Sequence, residues 1–344
     1  MQVFDGHNDV LSRLWRRGDD PVAAFEQDEA HINAVACKAG GFAGGFFAIY
    51  CPEARKPAGD VFQEDGLLEE PLPDPLDHDW ALNATIGQVG VAKRLEAAGH
   101  LRLVITPEDL QPAFDADPMA CILNVEGAEG IGPDLLELET LHAAGVRSLG
   151  PVWSRPNIFG HGVPFAHKRD GDTGPGLTEH GKRLAQRCAQ LGIMLDCSHI
   201  TMRGFWDIAE LGRPVVATHS NAWTLCQSSR NLTDDQLACI RETGGIAGFN
   251  FEPAFISEAG WKTGKASLED CLRQLDYMIE KLGEDHVALG SDFDGARTPQ
   301  GIASAADLPV LVDAMERAGY HGAVIEKICN KNWLGFLTRH LGGT

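Results

Sequence analysis

The sequence predicts a single α/β domain built as a (β/α)8 barrel of the TIM type, and three observations lead to this prediction. The chain has 344 residues and 44% hydrophobic content, which is ample for one large core. Eight short apolar runs each end in polar residues. Amphipathic stretches that favour helices separate most of these runs, and glycine closes several of them. Eight alternating strand and helix patterns are typical of this barrel.

The predicted strands follow one another along the whole chain. In order they are "MQVFD", "GGFAGGFFAIY", "MACILNVEG", "GVRSLGPVW", "GIMLDCSH", "PVVATHS", "GGIAGFNF" and "HVALGSDF". Helices are predicted between them, for example in "TEHGKRLAQRCAQLG" and "SLEDCLRQLDYMIEKLG". An open doubly wound sheet is the alternative, but no GxGxxG motif follows the first strand to support it.

Two long loops depart from a minimal barrel. Residues 52–80 follow the second strand and are rich in Pro, Asp and Glu, and the Gly-rich residues 155–178 follow the fourth. Long loops in compact domains are often functional. The segment "GAVIEKICNKNWLGFL" predicts terminal helices. No linker divides the chain, so we expect one domain over residues 1–344 with C-terminal helices.

Charge and composition exclude several classes of partner. The formal net charge of −20 argues against non-specific binding to nucleic acid or to anionic membranes. The first residues lack the basic and apolar regions of a signal peptide, and no window approaches the ~18 apolar residues of a spanning helix. The nine cysteines are scattered without a CxxC pair. We therefore expect reduced thiols and a cytoplasmic location.

Ionisable side chains stand at the carboxyl ends of five predicted strands. They are Asp5, His7 and Asp9 on the first strand, Glu126 on the third, His199 on the fifth, His219 on the sixth, and Asp292 and Asp294 on the eighth. In a barrel these strand ends share one face, where active sites are built. We therefore expect residues that are far apart in the sequence to converge.

The residue types point to a metal site. In "FDGHNDV", His7 and Asp9 are two residues apart and would project together from a strand, with Asp5 behind them. One zinc ion takes ~3 to 4 protein ligands. Two ions that share a carboxylate would use five candidates, and ions ~3.5 to 4 Å apart can generate hydroxide and polarise a scissile bond. The five candidates are His7, Asp9, Glu126, His199 and His219.

Each candidate also has a structural explanation. A histidine at a strand end can simply be hydrogen-bonded, and Glu126 before glycine can be a turn residue. Five such residues on one predicted face nevertheless favour a site. Asp292 beside a bridging water could carry a proton, whereas Asp294 more plausibly shapes the "DFDG" turn.

These motifs resemble those of a known family. In order, "DGHNDV", "NVEG", "DCSH", "ATHSNA" followed by "SSRN", and "GSDFDG" resemble the motifs of the membrane (renal) dipeptidase family of zinc peptidases, peptidase family M19. The similarity extends from residue 4 to near residue 337. It implies a barrel metallohydrolase with two zinc ions, the first held by His7 and Asp9 and the second by His199 and His219. Glu126 and a water or hydroxide would bridge the two ions.

The resemblance also implies an activity. The family hydrolyses dipeptides, including those with a C-terminal D-residue, by attack of metal-bound hydroxide. Asp292 would shuttle the proton, and Arg230 in "SSRN" would bind the C-terminal carboxylate, which a planar guanidinium fits in a bidentate manner. A soluble bacterial-type member of this kind is expected to be a homodimer with a small-molecule substrate and no nucleic-acid or membrane partner.

Two departures from the family pattern bear on the substrate. Trp153 occupies the position of a family histidine that stabilises the carbonyl oxygen, so Trp153, His161 or the metals alone would serve there. Glu252 stands where relatives carry a tyrosine, and its carboxylate could favour a cationic group. The candidate substrate contacts are therefore Arg230, Trp153, Glu252 and His161, with His167 in the same loop as a further possibility.

Two other functions stay open at this stage. A related amide hydrolase with two metal ions could act on N-acyl amino acids or other small amides. The departures from the family pattern at Trp153 and Glu252 are compatible with that function. A metal-containing binding protein without turnover is the alternative of another class. The presence of Asp292 beside a complete ligand set argues against it, because a protein without turnover would be free to lose Asp292.

Overall fold

The computed structural model describes residues 1–53, 70–115 and 118–342, and these residues form nine parallel strands in two sheets. They are β1 (Val3–Asn8), β2 (Phe42–Tyr50), β3 (Leu101–Leu103), β4 (Met119–Glu126), β5 (Val146–Gly150), β6 (Met194–Leu195), β7 (Val216–Ala217), β8 (Ile246–Phe249) and β9 (Val287–Leu289). Eight of them are the predicted strands. The sequence pattern does not predict β3, because three residues are too few to show a period.

The strands close into a ring. One sheet has the order β1-β2-β4-β5-β6, with β3 paired to β4, and a second has the order β7-β8-β9. Single parallel bridges join the two sheets, between Asp196 and Val216 on one side and between Asn8 and Phe293 on the other. The Cys197 N–H donates to the Val216 carbonyl at 2.7 Å in the first seam. The predicted eight-stranded barrel is confirmed, with two short seams.

Helices surround this ring. They are α1 (Val10–Arg17), α2 (Pro21–Gln27), α3 (Ala34–Gly40), α4 (His78–Ala97), α5 (Pro107–Asp115), α6 (Leu136–Ala144), α7 (Glu179–Leu191), α8 (Met202–Ala209), α9 (Asp234–Glu242), α10 (Pro253–Ile256), α11 (Glu258–Thr263), α12 (Leu268–Leu282), α13 (Leu308–Arg317), α14 (Gly322–Glu326) and α15 (Asn332–Gly342). A 3₁₀ turn spans Ala305–Asp307, and a π-helical turn, Lys327–Lys331, joins α14 to α15.

The two helices predicted from their sequence patterns have clear end signals. The Thr178 hydroxyl caps the start of α7, and Gly192 ends it in the left-handed conformation. Ser267 and Asp270 form a capping box at the start of α12. Both helices cover the barrel with their apolar faces.

The core has two layers. One lies between the strands and the surrounding helices, and the other fills the barrel interior at the amino ends of the strands. Trp333 on α15 closes that interior: it is fully buried, packs on Phe46, and donates from its indole N–H to the Leu289 carbonyl at 2.9 Å. The C-terminal helix therefore seals the end of the barrel opposite the strand ends that carry the ionisable residues.

Crowding in the barrel interior explains why residue 6 is a glycine. A Cβ on Gly6 would lie 2.3 Å from the Thr218 carbonyl oxygen and 2.9 Å from the Trp333 ring. Only glycine lets β1 approach β7 across the barrel at this point.

The two long loops meet above the strand ends. Residues 54–69 of the first predicted loop lie outside the described residues. The Glu70 N–H, just after them, donates to the Phe165 carbonyl in the second loop at 2.9 Å. Within the described segments, none of the helices combines the length and the apolar character needed to cross a membrane.

Candidate metal centre and active site

The five candidate ligands converge at the carboxyl end of the barrel. Glu126 Oε1 lies 3.0 Å from His199 Nε2, 3.5 Å from His219 Nε2 and 3.6 Å from His7 Nε2. His7 Nε2 is also 3.4 Å from Asp9 Oδ2. Two groups of three potential ligands result, and Glu126 belongs to both. The structure thus brings together all five residues singled out from the strand ends.

An irregularity in the pairing of β1 positions two of these side chains, His7 and Asp9. The pairing of β1 with β2 shifts register between Asp5 and Asn8, and such a bulge re-aims the side chains near it. Asp5 does not join the cluster. Its carboxylate accepts hydrogen bonds from the Ser291 N–H and hydroxyl, both at 2.7 Å, and so ties β1 to the segment after β9.

Three residues at the site have an unusual backbone conformation. His199, Asp292 and Asp294 have φ values of 67°, 61° and 65°, in the left-handed region that non-glycine residues rarely adopt. Such backbone strain is typical of functional sites, where the surrounding structure over-determines the conformation. The turn after β9 is also tight at Gly295, where a Cβ would lie 2.1 Å from Asp9 Oδ2 and 2.5 Å from Asp292 Oδ1.

A hydrogen-bond chain fixes the orientation and tautomer of His219. The Thr218 hydroxyl donates to Asp196 Oδ2 at 2.5 Å, because an ionised carboxylate can only accept. The same hydroxyl therefore accepts from the Nδ1–H of His219 at 2.8 Å. This leaves the unprotonated Nε2 facing Glu126. In the loop after β5, Ser154 contacts His199 Nδ1 at 2.9 Å.

Asp196 lies close enough to be counted as a ligand with His7 and His219. Both of its oxygens are already occupied, however. Oδ1 accepts from the backbone N–H groups of Ser198 and Thr218, at 3.0 and 2.9 Å, and Oδ2 accepts from the Thr218 hydroxyl. Asp196 therefore orients a candidate ligand, in the manner of the outer-shell carboxylates that support metal-bound histidines.

Burial and neighbouring charges set the protonation of the imidazoles. Burial lowers the pKa of both His199 and His219 well below the ordinary value, and the Arg230 guanidinium adds to the effect. Both rings are therefore neutral, and their Nε2 atoms lie 3.1 Å apart beside Glu126.

The pKa of His7 shifts in the opposite direction. Burial opposes its protonation, but the carboxylates of Glu126, Asp9 and Asp292 outweigh burial and raise the pKa of His7 to about 10. A proton on His7 is thus the charge that balances these carboxylates when no other cation is bound.

The donor set fits a divalent metal centre. All five candidate ligands are buried, and among the described residues neither ring nitrogen of His7 has a hydrogen-bond partner. Imidazole nitrogens and carboxylate oxygens are the ligands that zinc and similar ions take. A shared carboxylate between two ligand groups is the arrangement expected for a pair of ions.

Asp292 lies beside this cluster, and one of its carboxylate oxygens accepts a hydrogen bond. The Asn250 side-chain amide donates to Asp292 Oδ2 at 2.9 Å. Burial raises the pKa of Asp292 to about 6, against the opposing influence of His7 and Arg230. A carboxyl group with a pKa near neutrality can both accept and return a proton.

Arg230 lies behind His219 and is only 4% exposed. Its guanidinium donates to the His219 carbonyl at 3.1 Å and to the Ser220 hydroxyl at 3.2 Å, and it lies over the ring of Phe255. Burial lowers the pKa of Arg230 to about 10, so it remains cationic at neutral pH. It borders a small cavity next to His199, and its Nε–H has no partner among the described residues.

A cleft of about 1150 Å³ opens over the cluster. Aromatic side chains line part of the cleft, and among them the Trp153 ring lies 5.6 Å from that of His199. The other aromatic residues that line the cleft are Tyr50, Phe165, Phe255 and Trp261. Trp153 therefore contacts the candidate metal cluster at the position where the family resemblance places a histidine.

Glu252 also lines the cleft, but its charge is not free. Arg297 donates to Glu252 Oε1 at 2.5 Å from Nη2 and to Oε2 at 2.9 Å from its backbone N–H. Glu252 Oε1 also caps the start of α10 through the Ala254 N–H. The expectation that this carboxylate favours a cationic substrate group is not supported, because Arg297 already supplies the cation.

The two loop histidines lie away from the cleft lining. The His161 carbonyl accepts from the Thr201 N–H at 3.2 Å, and His161 is not among the residues that line the main cleft. His167 is buried and stacks on Trp261 with ring centroids 5.1 Å apart. Neither imidazole belongs to the ligand groups formed by the described residues.

Several supporting residues were not predicted. Asp196 and Thr218 lie next to the predicted ligands in "LDCSH" and "ATHS", so their adjacency was the available signal. No sequence signal pointed to Arg155 and Glu129. These two residues form a buried ion pair, with Nη1 of Arg155 and Oε1 of Glu129 3.5 Å apart. The Arg155 guanidinium lies 5.1 Å from the centre of the Trp153 ring and supports that ring from behind.

Comparisons with known proteins find similar sequences and structures. The sequence model of the membrane dipeptidases, peptidase family M19, matches residues 1–339. The structure superposes with a TM-score of 0.95 on a metallo peptidase from Rhodobacter sphaeroides that is liganded with a phosphinate mimic of the dipeptide L-Ala-D-Ala. That protein is 44% identical, and the match covers 99% of each chain.

Two further relatives are known from sequence. A protein from the pqqA 5′ region of Klebsiella pneumoniae is 41% identical over 267 residues, which cover 77% of this chain and 96% of the relative. An uncharacterized dipeptidase of Schizosaccharomyces pombe is 28% identical over 348 residues, which cover 97% of this chain and 79% of the relative.

The Thr218 chain generates a prediction about metal affinity. Thr218→Val keeps the shape but removes the hydroxyl that orients His219, so metal affinity should fall by about 10- to 100-fold, the range typical of outer-shell partners. Titration of the metal-free protein with zinc in competition with a chelator measures this change. Thr218→Ser, which keeps the hydroxyl, is the matched control and should bind nearly as well as the wild type. Equal affinities in all three proteins would contradict the role.

The protonation of His7 generates a second prediction. A proton on His7 competes with a metal ion at every pH below about 10, so metal affinity falls as the pH falls. We expect the logarithm of the apparent association constant to rise by about one per pH unit between pH 6 and 8, since one proton is displaced. Calorimetric titration in two buffers of different ionisation enthalpy counts the released protons directly. An affinity that does not change with pH would refute this account.

Proposed function

The chain belongs to the membrane dipeptidase family, peptidase family M19, and on that premise we propose that it hydrolyses dipeptides with two zinc ions bound. Membership of the family makes it a peptidase hydrolase. The observation that carries the proposal is that Glu126 belongs to two ligand groups at once. Dipeptides with a C-terminal D-residue are included, because the Rhodobacter sphaeroides protein binds a mimic of L-Ala-D-Ala.

His7 and Asp9 would hold one ion, His199 and His219 the other, and Glu126 would bridge them. Zinc is the proposed metal because the donors are imidazole nitrogens and carboxylate oxygens. When bound, such ions lower the pKa of a water molecule and polarise a carbonyl group. The orientation of His219 by Thr218 and Asp196 keeps the Nε2 lone pair available to the metal.

Asp292 is the proposed proton carrier. It would take a proton from the attacking water and return it to the leaving nitrogen of the peptide bond. Its pKa of about 6 suits both steps near neutral pH, and the Asn250 hydrogen bond leaves Oδ1 available on the side of Asp9.

Arg230 is the proposed anchor for the C-terminal carboxylate of the substrate. Its guanidinium is held rigid by the His219 carbonyl and Ser220, and its Nε–H is without a partner among the described residues. A buried guanidinium binds a carboxylate strongly because water does not compete. The aromatic wall at Trp153 and Phe165 would pack against the substrate and keep bulk water from the reacting bond.

A related amide hydrolase acting on N-acyl amino acids is the second candidate. The observation in its favour is Trp153, an uncharged group where relatives carry a histidine that stabilises the carbonyl oxygen. A panel of L,L and L,D dipeptides beside N-acyl amino acids, assayed with metal content counted in parallel, distinguishes the two. Release of free amino acids from dipeptides with about two zinc ions per chain supports the dipeptidase. Cleavage of N-acyl amino acids alone supports the alternative.

The setting of the enzyme is also part of the proposal. All nine cysteines are unpaired and eight of them are buried, which supports a reducing compartment such as the cytoplasm. A homodimer is proposed from the family resemblance, and the molar mass measured by light scattering tests it.

The role of Asp292 can be tested by one conservative change. Asp292→Asn keeps the shape and the Asn250 contact region but removes the proton acceptor, so kcat should fall by about 10²- to 10⁴-fold. The metal content should remain that of the wild type, which atomic absorption verifies in the same samples. Turnover near the wild-type rate with full metal content would disprove the role.

The anchor role of Arg230 predicts a loss that depends on the substrate. Arg230→Ala should lower kcat/KM for dipeptides with a free C-terminus by about 10- to 100-fold, since a charge-assisted hydrogen bond contributes about 1.5–3 kcal/mol. Dipeptide amides, which lack the carboxylate, should be affected much less. Steady-state kinetics on matched free and amidated dipeptides provide the comparison, and equal losses on both would argue against an anchor.

A further inference from the structure

The cleft over the candidate metal cluster is also rich in arginine. Its described lining residues include Arg13, Arg16, Arg17 and Arg297, and no lysine. Arginine is the side chain best suited to bind carboxylates, because its planar guanidinium offers two parallel N–H groups. Arg297 is held by Glu252, as described above. The three arginines of α1 differ sharply in how their guanidinium groups are used.

Two of these three arginines are already engaged. Arg13 is ion-paired with Asp28 at 2.9 Å and with Asp294 at 3.1 Å. Arg17 is paired with Asp28 and with Asp19. A substrate carboxylate could bind either guanidinium only by displacing a carboxylate of the protein.

Arg16 is different. It lines the cleft and is exposed, and no acidic side chain of the described segments lies within 4.0 Å of its guanidinium. As far as the described segments are concerned, it can therefore exchange water for a carboxylate without losing an ion pair. Residues 9, 12, 13 and 16 all line the cleft, so one face of α1 runs along it from the candidate ligand Asp9. Seven residues of helix place Arg16 ~10 Å along the axis from Asp9.

Arg16 and Arg230 are associated with different ligands of the candidate metal cluster. Arg230 donates to the His219 carbonyl and borders His199, whereas α1 begins directly after Asp9. An extended dipeptide spans about 7 Å along its backbone. With its C-terminal carboxylate at Arg230 and its peptide bond at the cluster, the N-terminal residue points toward α1.

We propose that Arg16 binds a carboxylate on the side chain of the N-terminal residue, so that dipeptides beginning with glutamate or aspartate are preferred. The inference rests on the proposed dipeptidase function, which it refines by naming a class of substrate. It also replaces the expectation drawn from Glu252, whose charge is neutralised by Arg297.

The test compares L-Glu-L-Ala with L-Gln-L-Ala, which have nearly the same size and differ in one charge. The wild type should favour the glutamate substrate by about tenfold in kcat/KM, and Arg16→Gln should reduce this ratio to about one. Arg17→Gln is the matched control, because Arg17 lines the same cleft but is ion-paired, and it should keep the preference. Equal kcat/KM values for both dipeptides in the wild type, or equal losses of preference in the two variants, would overturn the proposal.

A binding measurement separates this inference from the proposed function. Calorimetry on metal-loaded Asp292→Asn protein, with and without Arg16→Gln, gives dissociation constants for the two dipeptides without turnover. A preference for L-Glu-L-Ala that requires Arg16 supports the inference even if the wild type hydrolyses no dipeptide, which would refute the dipeptidase function alone. Equal dissociation constants in both backgrounds would refute the role of Arg16 and leave the dipeptidase function standing.

Discussion

The burial of Glu126 among three imidazoles is the constraint on which the rest of the site depends. Removing a carboxylate from water is costly unless cations or hydrogen-bond donors replace the water, and burial accordingly raises the pKa of Glu126 well above its ordinary value. The hydrogen bond between His219 and Thr218 turns the Nε2 lone pair of His219, rather than an N–H group, toward Glu126. This cluster lacks internal positive charge apart from a proton on His7, so divalent cations are the natural complement.

A second set of buried polar groups holds these side chains in place. Asp5 fastens β1 to the segment after β9, and Asp196 fastens the end of β6 to the start of the turn that carries His219. Both carboxylates lie at the two seams where the barrel is joined by single bridges. The groups that close the barrel are therefore the same groups that orient the site, and the left-handed backbone of His199 and Asp292 is stabilised by this network.

The cleft above the cluster is chemically asymmetric. One wall is aromatic and is supported by the buried Arg155–Glu129 pair behind Trp153. One face of α1 also lines the cleft, and there the Arg16 guanidinium, which has no acidic partner among the described residues, stands beside the paired Arg13 and Arg17. Because α1 starts directly after Asp9, helix geometry fixes the positions of its side chains relative to that candidate ligand. Differences in substrate among proteins with the same cluster can therefore arise from such wall positions without disturbing the chemistry.

The sequence by itself determined the barrel and the residues of the cluster. Strand and helix periods are local, and the carboxyl ends of parallel strands must share one face, so His7, Asp9, Glu126, His199 and His219 could be expected to meet before any coordinates were known. Only the tertiary structure decided which charges are free. Glu252 is neutralised by Arg297, which lies 45 residues away in the chain, and Asp5 is turned from the cluster by Ser291, 286 residues away. Pairing between distant residues follows from packing and leaves no period in the sequence. For the same reason, neither the Arg155–Glu129 pair nor the absence of an acidic partner for Arg16 among the described residues could be foreseen.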